Sequence, residues 1–153
     1  MKLKKVLEDR RINTVYAVCR TKALREAAKK MIAFNCSALM VTDCEDSPDQ
    51  YVGIITHSDL VRAMSIESID LGTVPVSDFM TRQMIVACED DDVEYVMNVM
   101  VRHSVGHLPV VVGKQIGGII CKNDILQVLN VEREIEIQWL NDFSGVSAKN
   151  SVY

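Results

Sequence analysis

Two stretches of the chain share one pattern, Gly53-Ile54-Ile55-Thr56-His57-Ser58-Asp59-Leu60 and Gly118-Ile119-Ile120-Cys121-Lys122-Asn123-Asp124-Ile125. Each has a glycine, two β-branched residues, a short polar turn and an aspartate six residues after the glycine. The pattern is typical of a strand that ends at the first turn of a helix, where backbone N–H groups and a carboxylate lie together. The whole pattern recurs after 65 residues, so the chain is predicted to contain a duplicated unit.

The duplication extends to the segments before each pattern. A shift of 69 residues overlays two apolar helix stripes, Leu24, Ala27, Ala28 and Met31 on Val93, Val96, Met97 and Met100. The loop 43–50, with Pro48, explains the change of shift because it is four residues longer than the turn around Gly113. Each unit is therefore predicted as strand, helix, strand, strand, helix. In the first unit these are a strand over 14–18, a helix from the N-cap Thr21 to about Asn35, strands over 38–42 and 51–55, and a helix from near Ser58.

One such unit is too small to bury both faces of its sheet. The predicted fold class is therefore α/β (α+β), with two pseudo-symmetric β-α-β-β-α repeats packed sheet to sheet. The predicted organisation is a first repeat over 1–68, a second over 69–130, and a helical extension with a frayed tail over 131–153.

Two further segments connect the repeats to a known family. Ser37-Ala38-Leu39-Met40-Val41 precedes the first pattern, and Val76-Ser77-Asp78-Phe79-Met80-Thr81 opens the second repeat. Over residues 6–130 the chain resembles a tandem pair of cystathionine-β-synthase (CBS) domains, called a Bateman module. The resemblance implies a regulatory module that binds an adenosine-containing ligand of the AMP, ATP, NAD or S-adenosylmethionine class, with AMP or ATP favoured. It also implies a homodimer.

The resemblance implies two nucleotide clefts, each built from both repeats. Cleft A is expected to contain Ile54, Thr56, Ser58, Asp59, Ile85, Val105, Gly106 and His107. Cleft B is expected to contain Tyr16, Cys36, Ser37, Ile119, Cys121, Asn123 and Asp124. In each cleft the aspartate would accept hydrogen bonds from the ribose hydroxyls. The alternative is structural: Asp59 and Asp124 complement their helix dipoles, with Ser58 and Asn123 as N-caps.

Departures from the family pattern distinguish the two clefts. Cys121 stands where the family usually has Thr or Ser, and a thiol is a weak hydrogen-bond partner, so cleft A is expected to bind more tightly. Phosphate-binding members often carry a basic residue where this chain has Gly106. The remaining candidates for a phosphate contact are His107, with His57, His103 and Lys122.

Other groups of reactive residues do not form a recognisable site. His103 and His107 have a helical metal-ligand spacing but no third ligand, and the acidic run 89–92 is either a cation site or, as we favour, the first turn of a helix over 93–103. A nucleophilic Cys36 or Cys121 has no assignable general base. We therefore expect no catalytic residues, no metal site, no required cofactor and no enzymatic activity.

Composition is that of a soluble globular domain. The 153 residues are 48% hydrophobic and 25% charged, with a net charge of −4 and five cysteines without metal or redox spacing. The chain has no apolar run of membrane-spanning length, no signal-peptide core and no long basic run. A cytoplasmic protein that binds neither membrane nor nucleic acid is expected.

The segment 131–143 contains no helix breaker and is predicted to extend the last helix. Ile135, Trp139 and Leu140 fall on one face, joined by Phe143, and form an apolar stripe. Either this face binds a downstream protein partner, or the helix folds back on its own module. A ligand-free scaffold for protein interactions is therefore the alternative to a nucleotide sensor.

Overall fold

A computed structural model describes residues 1–44, 46–47 and 50–144 of the chain. Part of the predicted 43–50 loop and all of the predicted tail over 146–153 lie outside the described residues. The helices and strands are α1 (Leu3–Asp9), β1 (Ala17–Cys19), α2 (Leu24–Ala33), β2 (Ala38–Thr42), β3 (Tyr51–Thr56), α3 (His57–Met64), a 3-10 turn (Val76–Asp78), β4 (Ala87–Cys88), α4 (Val93–Arg102), β5 (His107–Val112), β6 (Gln115–Cys121) and α5 (Lys122–Ser144).

The two repeats form two three-stranded sheets with the same topology. In each sheet the first pair of strands is parallel and the second is antiparallel, in the orders β1-β2-β3 and β4-β5-β6. The registers also match, because Ala38 pairs with Thr56 in one sheet and His107 pairs with Cys121 in the other. The predicted α+β fold of two pseudo-symmetric β-α-β-β-α repeats is confirmed.

The start of the first repeat differs from the prediction. Strand β1 begins at Ala17 instead of Thr14, and α2 begins at Leu24, so Thr21 is not its N-cap. The Thr21 hydroxyl instead lies 3.2 Å from Sγ of Cys19. A backbone group replaces the predicted cap, because the N–H of Leu24 donates to the carbonyl of Val74 at 2.9 Å.

The first helix, α1, was not predicted from the sequence. Its residues Leu3, Val6 and Leu7 have the i, i+3, i+4 spacing of an apolar helix face, and they are buried in the core of the second repeat. The N–H of Leu3 donates to the carbonyl of Asp91 at 2.9 Å, just before α4. The N-terminal helix is therefore part of the second repeat in space, although it precedes the first in sequence.

The segment that precedes the second repeat packs on the first repeat. Val76, Phe79 and Met80 are buried in the core of the first repeat, next to α2 and β3. We call residues 1–12 and 69–81 the lead segments, since each precedes one repeat and packs on the other. The predicted bounds of 1–68 and 69–130 follow the sequence repeat, whereas the packing crosses them.

The glycine that opens each repeated pattern makes room for a lead segment. A Cβ on Gly53 would lie 2.7 Å from the carbonyl oxygen of Thr81, and one on Gly118 would lie 2.7 Å from Cγ2 of Ile12. Ile12 and Thr81 occupy equivalent positions in the two lead segments. Backbone hydrogen bonds join Ile54 and Thr81 in both directions, at 3.0 and 2.8 Å. Close approach of a lead segment is the physical reason for these glycines, through the Thr81 backbone at Gly53 and through the Ile12 side chain at Gly118.

Helix α5 continues without interruption through the predicted extension, from Lys122 to Ser144. Its last turns are exposed: Trp139 and Phe143 are 69% and 89% accessible. The alternative in which this helix folds back on its own module is not observed. No helix in the described part of the chain is both long enough and apolar enough to cross a membrane.

Candidate functional site

A cavity of about 490 Å³ lies where the two repeats meet, at the predicted cleft B. This size falls in the range of small-molecule sites. The lining residues that the sequence predicted for cleft B are Cys36, Ser37, Ile119, Cys121 and Asp124. The lining residues that it did not place there are Ile12, Met31, Ile32, Asn35, Ala38, His57 and His107.

Two predicted members of cleft B lie beside this cavity without lining it. Tyr16 stacks on Phe34, with ring centroids 4.4 Å apart and an interplanar angle of 10°. Asn123 is exposed in the first turn of α5. Because α5 begins at Lys122 and α3 at His57, neither Asn123 nor Ser58 is an N-cap, and that part of the structural alternative is wrong.

Asp124 is fixed at the edge of the cavity by contacts to both carboxylate oxygens. Its Oδ2 accepts a hydrogen bond from the backbone N–H of Cys121 at 2.9 Å, and its Oδ1 lies 3.3 Å from Nε of Arg10. The side chain is 17% exposed. Arg10 comes from the lead segment at the end of α1, and its role was not predicted because nothing local in the sequence connects it to Asp124.

The two cysteines of the cavity are neutral thiols. Burial raises the pKa of the Cys121 thiol, and a hydrogen bond with the Asp124 carboxylate raises it further. Burial also raises the pKa of the Cys36 thiol. A nucleophilic cysteine needs a lowered pKa, so neither thiol has the electrostatic environment of a catalytic residue.

His107 lies in the wall of cleft B, although the sequence analysis placed it in cleft A. It is the first residue of β5 and pairs with Cys121 on β6, which turns it toward the meeting point of the repeats. Its Nε2 lies 2.5 Å from Oγ of Ser37, and the backbone N–H of His57 donates to the carbonyl of Ser37 at 3.1 Å. Burial lowers the pKa of His107, and His57 lowers it further, whereas Asp124 acts in the opposite direction.

In cleft A the equivalent aspartate is more enclosed. Asp59 is 6% exposed, and its Oδ2 accepts hydrogen bonds from the backbone N–H and the hydroxyl of Thr56 at 2.9 and 3.3 Å. Its Oδ1 lies 3.2 Å from an Nη atom of Arg62, one turn along α3. Arg62 is itself held by the carbonyl of Phe79 at 3.1 Å and lies over that ring. Thr56 and Asp59 thus form a capping box, in which Thr56 takes the N-cap position that the structural alternative assigned to Ser58.

The other residues predicted for cleft A are spread over three environments. Ile54 is buried in β3 beside Thr81, and Ile85 and Val105 pack at the margin of the second repeat's core. Ser58 and Gly106 are exposed, and a Cβ added to Gly106 would have no neighbour within 4 Å.

The helical spacing of His103 and His107 does not occur in space. His103 is the C-cap of α4 and His107 begins β5, so the two residues do not share a helix face. Across residues 1–44, 46–47 and 50–144, no three His, Cys, Asp or Glu side chains are grouped to hold a metal ion.

Comparisons with known proteins agree with this architecture. The CBS domain model matches residues 11–66 and 76–131. An uncharacterized 17.7 kDa protein in the bps2 3′ region of Acidianus ambivalens is 34% identical over 116 residues, which are 75% of this chain and 67% of that protein. Inosine-5′-monophosphate dehydrogenase of Methanocaldococcus jannaschii is 34% identical over 117 residues, which are 76% of this chain but only 22% of the dehydrogenase.

A solved structure shows the same pair of repeats. The CBS domain pair of protein MJ0100, crystallised with 5′-methylthioadenosine and S-adenosyl-L-methionine, is 25% identical and superposes with a TM-score of 0.71. The match covers 86% of this chain and 98% of that one. Two family matches in tandem and two sheets of matching topology lead to one conclusion: this chain belongs to the CBS domain family and contains a pair of CBS domains.

Proposed function

We propose that this chain is a regulatory module that binds an adenosine-containing nucleotide in cleft B and signals its occupancy to a partner protein. The observation that carries the proposal is the cavity between the repeats, with the Asp124 carboxylate at its edge. A carboxylate held by a helix N-terminus can accept hydrogen bonds from the two ribose hydroxyls. Ile119 offers an apolar surface to an adenine ring in the same cavity.

The adenosine class is supported by the relative of known structure, whose CBS domain pair was crystallised with 5′-methylthioadenosine and S-adenosyl-L-methionine. Within that class we favour AMP or ATP for this chain. Two histidines in the cavity wall, His57 and His107, offer ring N–H donors to a phosphate.

We also propose that cleft B fills before cleft A, the reverse of the order expected from the sequence. Both oxygens of Asp59 are occupied by Thr56 and Arg62, and the residue is almost fully buried. Asp124 also has contacts on both oxygens, to Cys121 and Arg10, but it is more exposed. Its side-chain partner in the turn is a thiol, a weaker hydrogen-bond partner than the Thr56 hydroxyl. A ribose would therefore displace weaker contacts in cleft B.

Catalysis is not part of the proposal. The cavity's thiols are neutral, and no general base is assigned to them. We propose a binding role for the cavity, in keeping with the expectation that the chain is not an enzyme.

A protein-interaction scaffold is the second candidate, and the exposed apolar side chains of α5 favour it. Ile135, Trp139, Leu140 and Phe143 are all more than half exposed. Contiguous apolar surface of this kind marks protein interaction sites. We propose that this face supports a homodimer or the docking of a downstream protein, with or without a nucleotide.

Native mass spectrometry of gently purified protein, combined with thermal shifts for AMP, ATP, NAD and S-adenosylmethionine, tests the proposed function. A bound adenylate mass, or a rise in Tm with one of these ligands, supports a sensor. A chain without bound ligand and without any thermal shift, but that still self-associates, supports the scaffold.

A further inference from the structure

We propose that cleft B selects an adenosine ligand with an anionic 5′ group, and that His107 takes up a proton when this ligand binds. The inference rests on the proposed function, because it concerns the same cavity. It adds a change in the protonation of His107 on binding, and with it a dependence of affinity on pH. It also assigns the recognition of the anion to a histidine pair, in place of a basic residue at Gly106.

Two histidines line the cavity and both contact Ser37, His107 through its imidazole and His57 through its backbone N–H. The hydroxyl of Ser37 lies 2.5 Å from Nε2 of His107, and its carbonyl accepts the backbone N–H of His57 at 3.1 Å. Both histidines line the same cavity as Asp124. An anionic group bound beside Ser37 would therefore contact the imidazole of His107, and His57 belongs to the same cavity lining.

The elements around His107 contribute two cysteines, an aspartate–arginine pair and a second histidine. Cys121 on β6 and Cys36 before β2 are neutral thiols whose pKa values are raised by burial. Asp124 on α5 is paired with Arg10 of the lead segment. The remaining group is His57 at the start of α3, which is exposed at the cavity mouth.

The environment of His107 keeps it uncharged before a ligand arrives. Burial lowers its pKa from the ordinary value, and His57 adds to the shift. A bound anion favours the charged imidazolium and raises the same pKa. At a pH between the pKa of His107 in the free protein and its higher pKa in the complex, ligand binding is accompanied by uptake of a proton. The affinity therefore rises as the pH falls.

Ser37 can accommodate both protonation states of its neighbour. A hydroxyl can donate to the bare Nε2 of a neutral imidazole, and it can accept from the N–H of an imidazolium. The contact at 2.5 Å is therefore retained when the proton arrives. A main-chain carbonyl or N–H in this place would satisfy only one of the two states, and an apolar neighbour would satisfy neither.

The sequence also suggested His103 and Lys122 for a phosphate contact, and neither is among the residues that line the cavity. His103 is exposed at the C-cap of α4 and does not line the cavity. The backbone N–H of Lys122 donates to the carbonyl of Gly106 at 3.2 Å, in the turn equivalent to that of His57 and Ser37. His103 therefore provides a matched control, a histidine of the same protein outside the cavity.

Calorimetric titration from pH 6 to pH 8 with adenosine and with adenosine 5′-sulfate tests the proposal. The sulfate carries a permanent charge, so the ligand itself does not titrate. We expect its affinity to increase by up to about tenfold per pH unit lost, the limit for uptake of one proton, while adenosine binding changes little. Repeating the titration in buffers of different ionisation enthalpy should show proton uptake for the sulfate alone.

His107→Gln should abolish the pH dependence, and His103→Gln should retain it. Proton NMR of the wild-type histidines gives a measurement that needs no folded variant: the pKa of His107 should rise with adenosine 5′-sulfate and not with adenosine. A sulfate affinity that is independent of pH, or a pH dependence that survives in a folded His107→Gln protein, would overturn the inference. If neither ligand binds at any pH, the proposed function itself fails.

Discussion

Nε of Arg10 lies 3.3 Å from Oδ1 of Asp124, so a lead segment holds the carboxylate that cleft B offers to a ribose. In cleft A the corresponding arginine, Arg62, comes from the same helix as its aspartate. The two clefts are thus closed in different ways. The contact in cleft B depends on the position of the end of α1, whereas the contact in cleft A lies within α3.

Arg10→Ala should strengthen adenosine binding in cleft B. Removing the arginine frees Oδ1 of Asp124 for the ribose, and a partly exposed ion pair of this kind is worth up to about 1 kcal/mol, or roughly fivefold in affinity. Calorimetry with uncharged adenosine measures the effect without any contribution from a phosphate. Arg62→Ala is the control at the other cleft and should leave this affinity unchanged. Weaker adenosine binding in Arg10→Ala would show that the arginine assists the ligand.

Asp124→Asn should weaken adenosine binding more than Asp59→Asn does. Loss of a charge-assisted hydrogen bond costs on the order of 1.5 to 3 kcal/mol, or about ten- to a hundredfold in affinity. Circular dichroism should confirm that both proteins are folded, since Asp59 also serves a capping box. The reverse ranking would restore the order expected from the sequence, with cleft A first. No effect of either substitution would refute the nucleotide assignment.

Gly53→Ala should destabilise the fold by about 1 to 3 kcal/mol, because its Cβ would lie 2.7 Å from a backbone oxygen that cannot move freely. Urea unfolding measures the change. Gly106→Ala is the matched control: its Cβ would meet no atom within 4 Å, so we expect a neutral or slightly stabilising effect. Equal stability of the two variants would mean that the approach of Thr81 is not a constraint on position 53.

Leu3→Ala should cost about 2 to 5 kcal/mol of unfolding free energy, as for a central core residue. Leu3 is fully buried against the second repeat although it is the third residue of the chain. Thermal or urea denaturation provides the measurement, and Lys4→Ala, at an exposed position on the same helix, provides the control. A cost no larger than that of the control would show that α1 is not docked in solution.

Trp139→Glu combined with Phe143→Glu should dissociate a homodimer without lowering the stability of the module. Both side chains are exposed in the single chain, so a charge there costs little unless a second copy covers them. Light scattering across a range of concentrations gives the mass. Gln138→Glu, on the same helix, controls for the added charge. A wild-type protein that stays monomeric throughout would refute the homodimer, and a dimer unaffected by the double substitution would place its interface elsewhere.

Local patterns in the sequence predicted the parts of the fold that local forces determine. Strand β2 has the predicted bounds, 38–42, and α5 continues through the predicted extension, because the residues that specify each element lie within it. Strand β1 and the start of α2 were misplaced. The start of α2 is set by the lead segment around Val74 and Pro75, which is distant in the sequence, and β1 begins where its pairing with Met40 begins.

The same distinction applies to the candidate site. The polar turns that end at Asp59 and Asp124 were recognised because each is contained in one short pattern. The contact of Arg10 with Asp124, and the placement of His107 beside Ser37, join residues 114 and 70 positions apart. Helix α1 could have been predicted from the i, i+3, i+4 spacing of Leu3, Val6 and Leu7. The charged residues between them obscured that spacing.

The exchange of lead segments makes the two repeats a single unit of folding. Each sheet is covered by chain that belongs, in sequence order, to the other half. A fragment that contains only one repeat would lose the lead segment that packs on its core. It would also expose the apolar residues of the lead segment that normally packs on the other repeat. The two repeats are therefore not expected to fold separately. Unfolding of one repeat exposes the core of the other, and both are expected to unfold in one cooperative step.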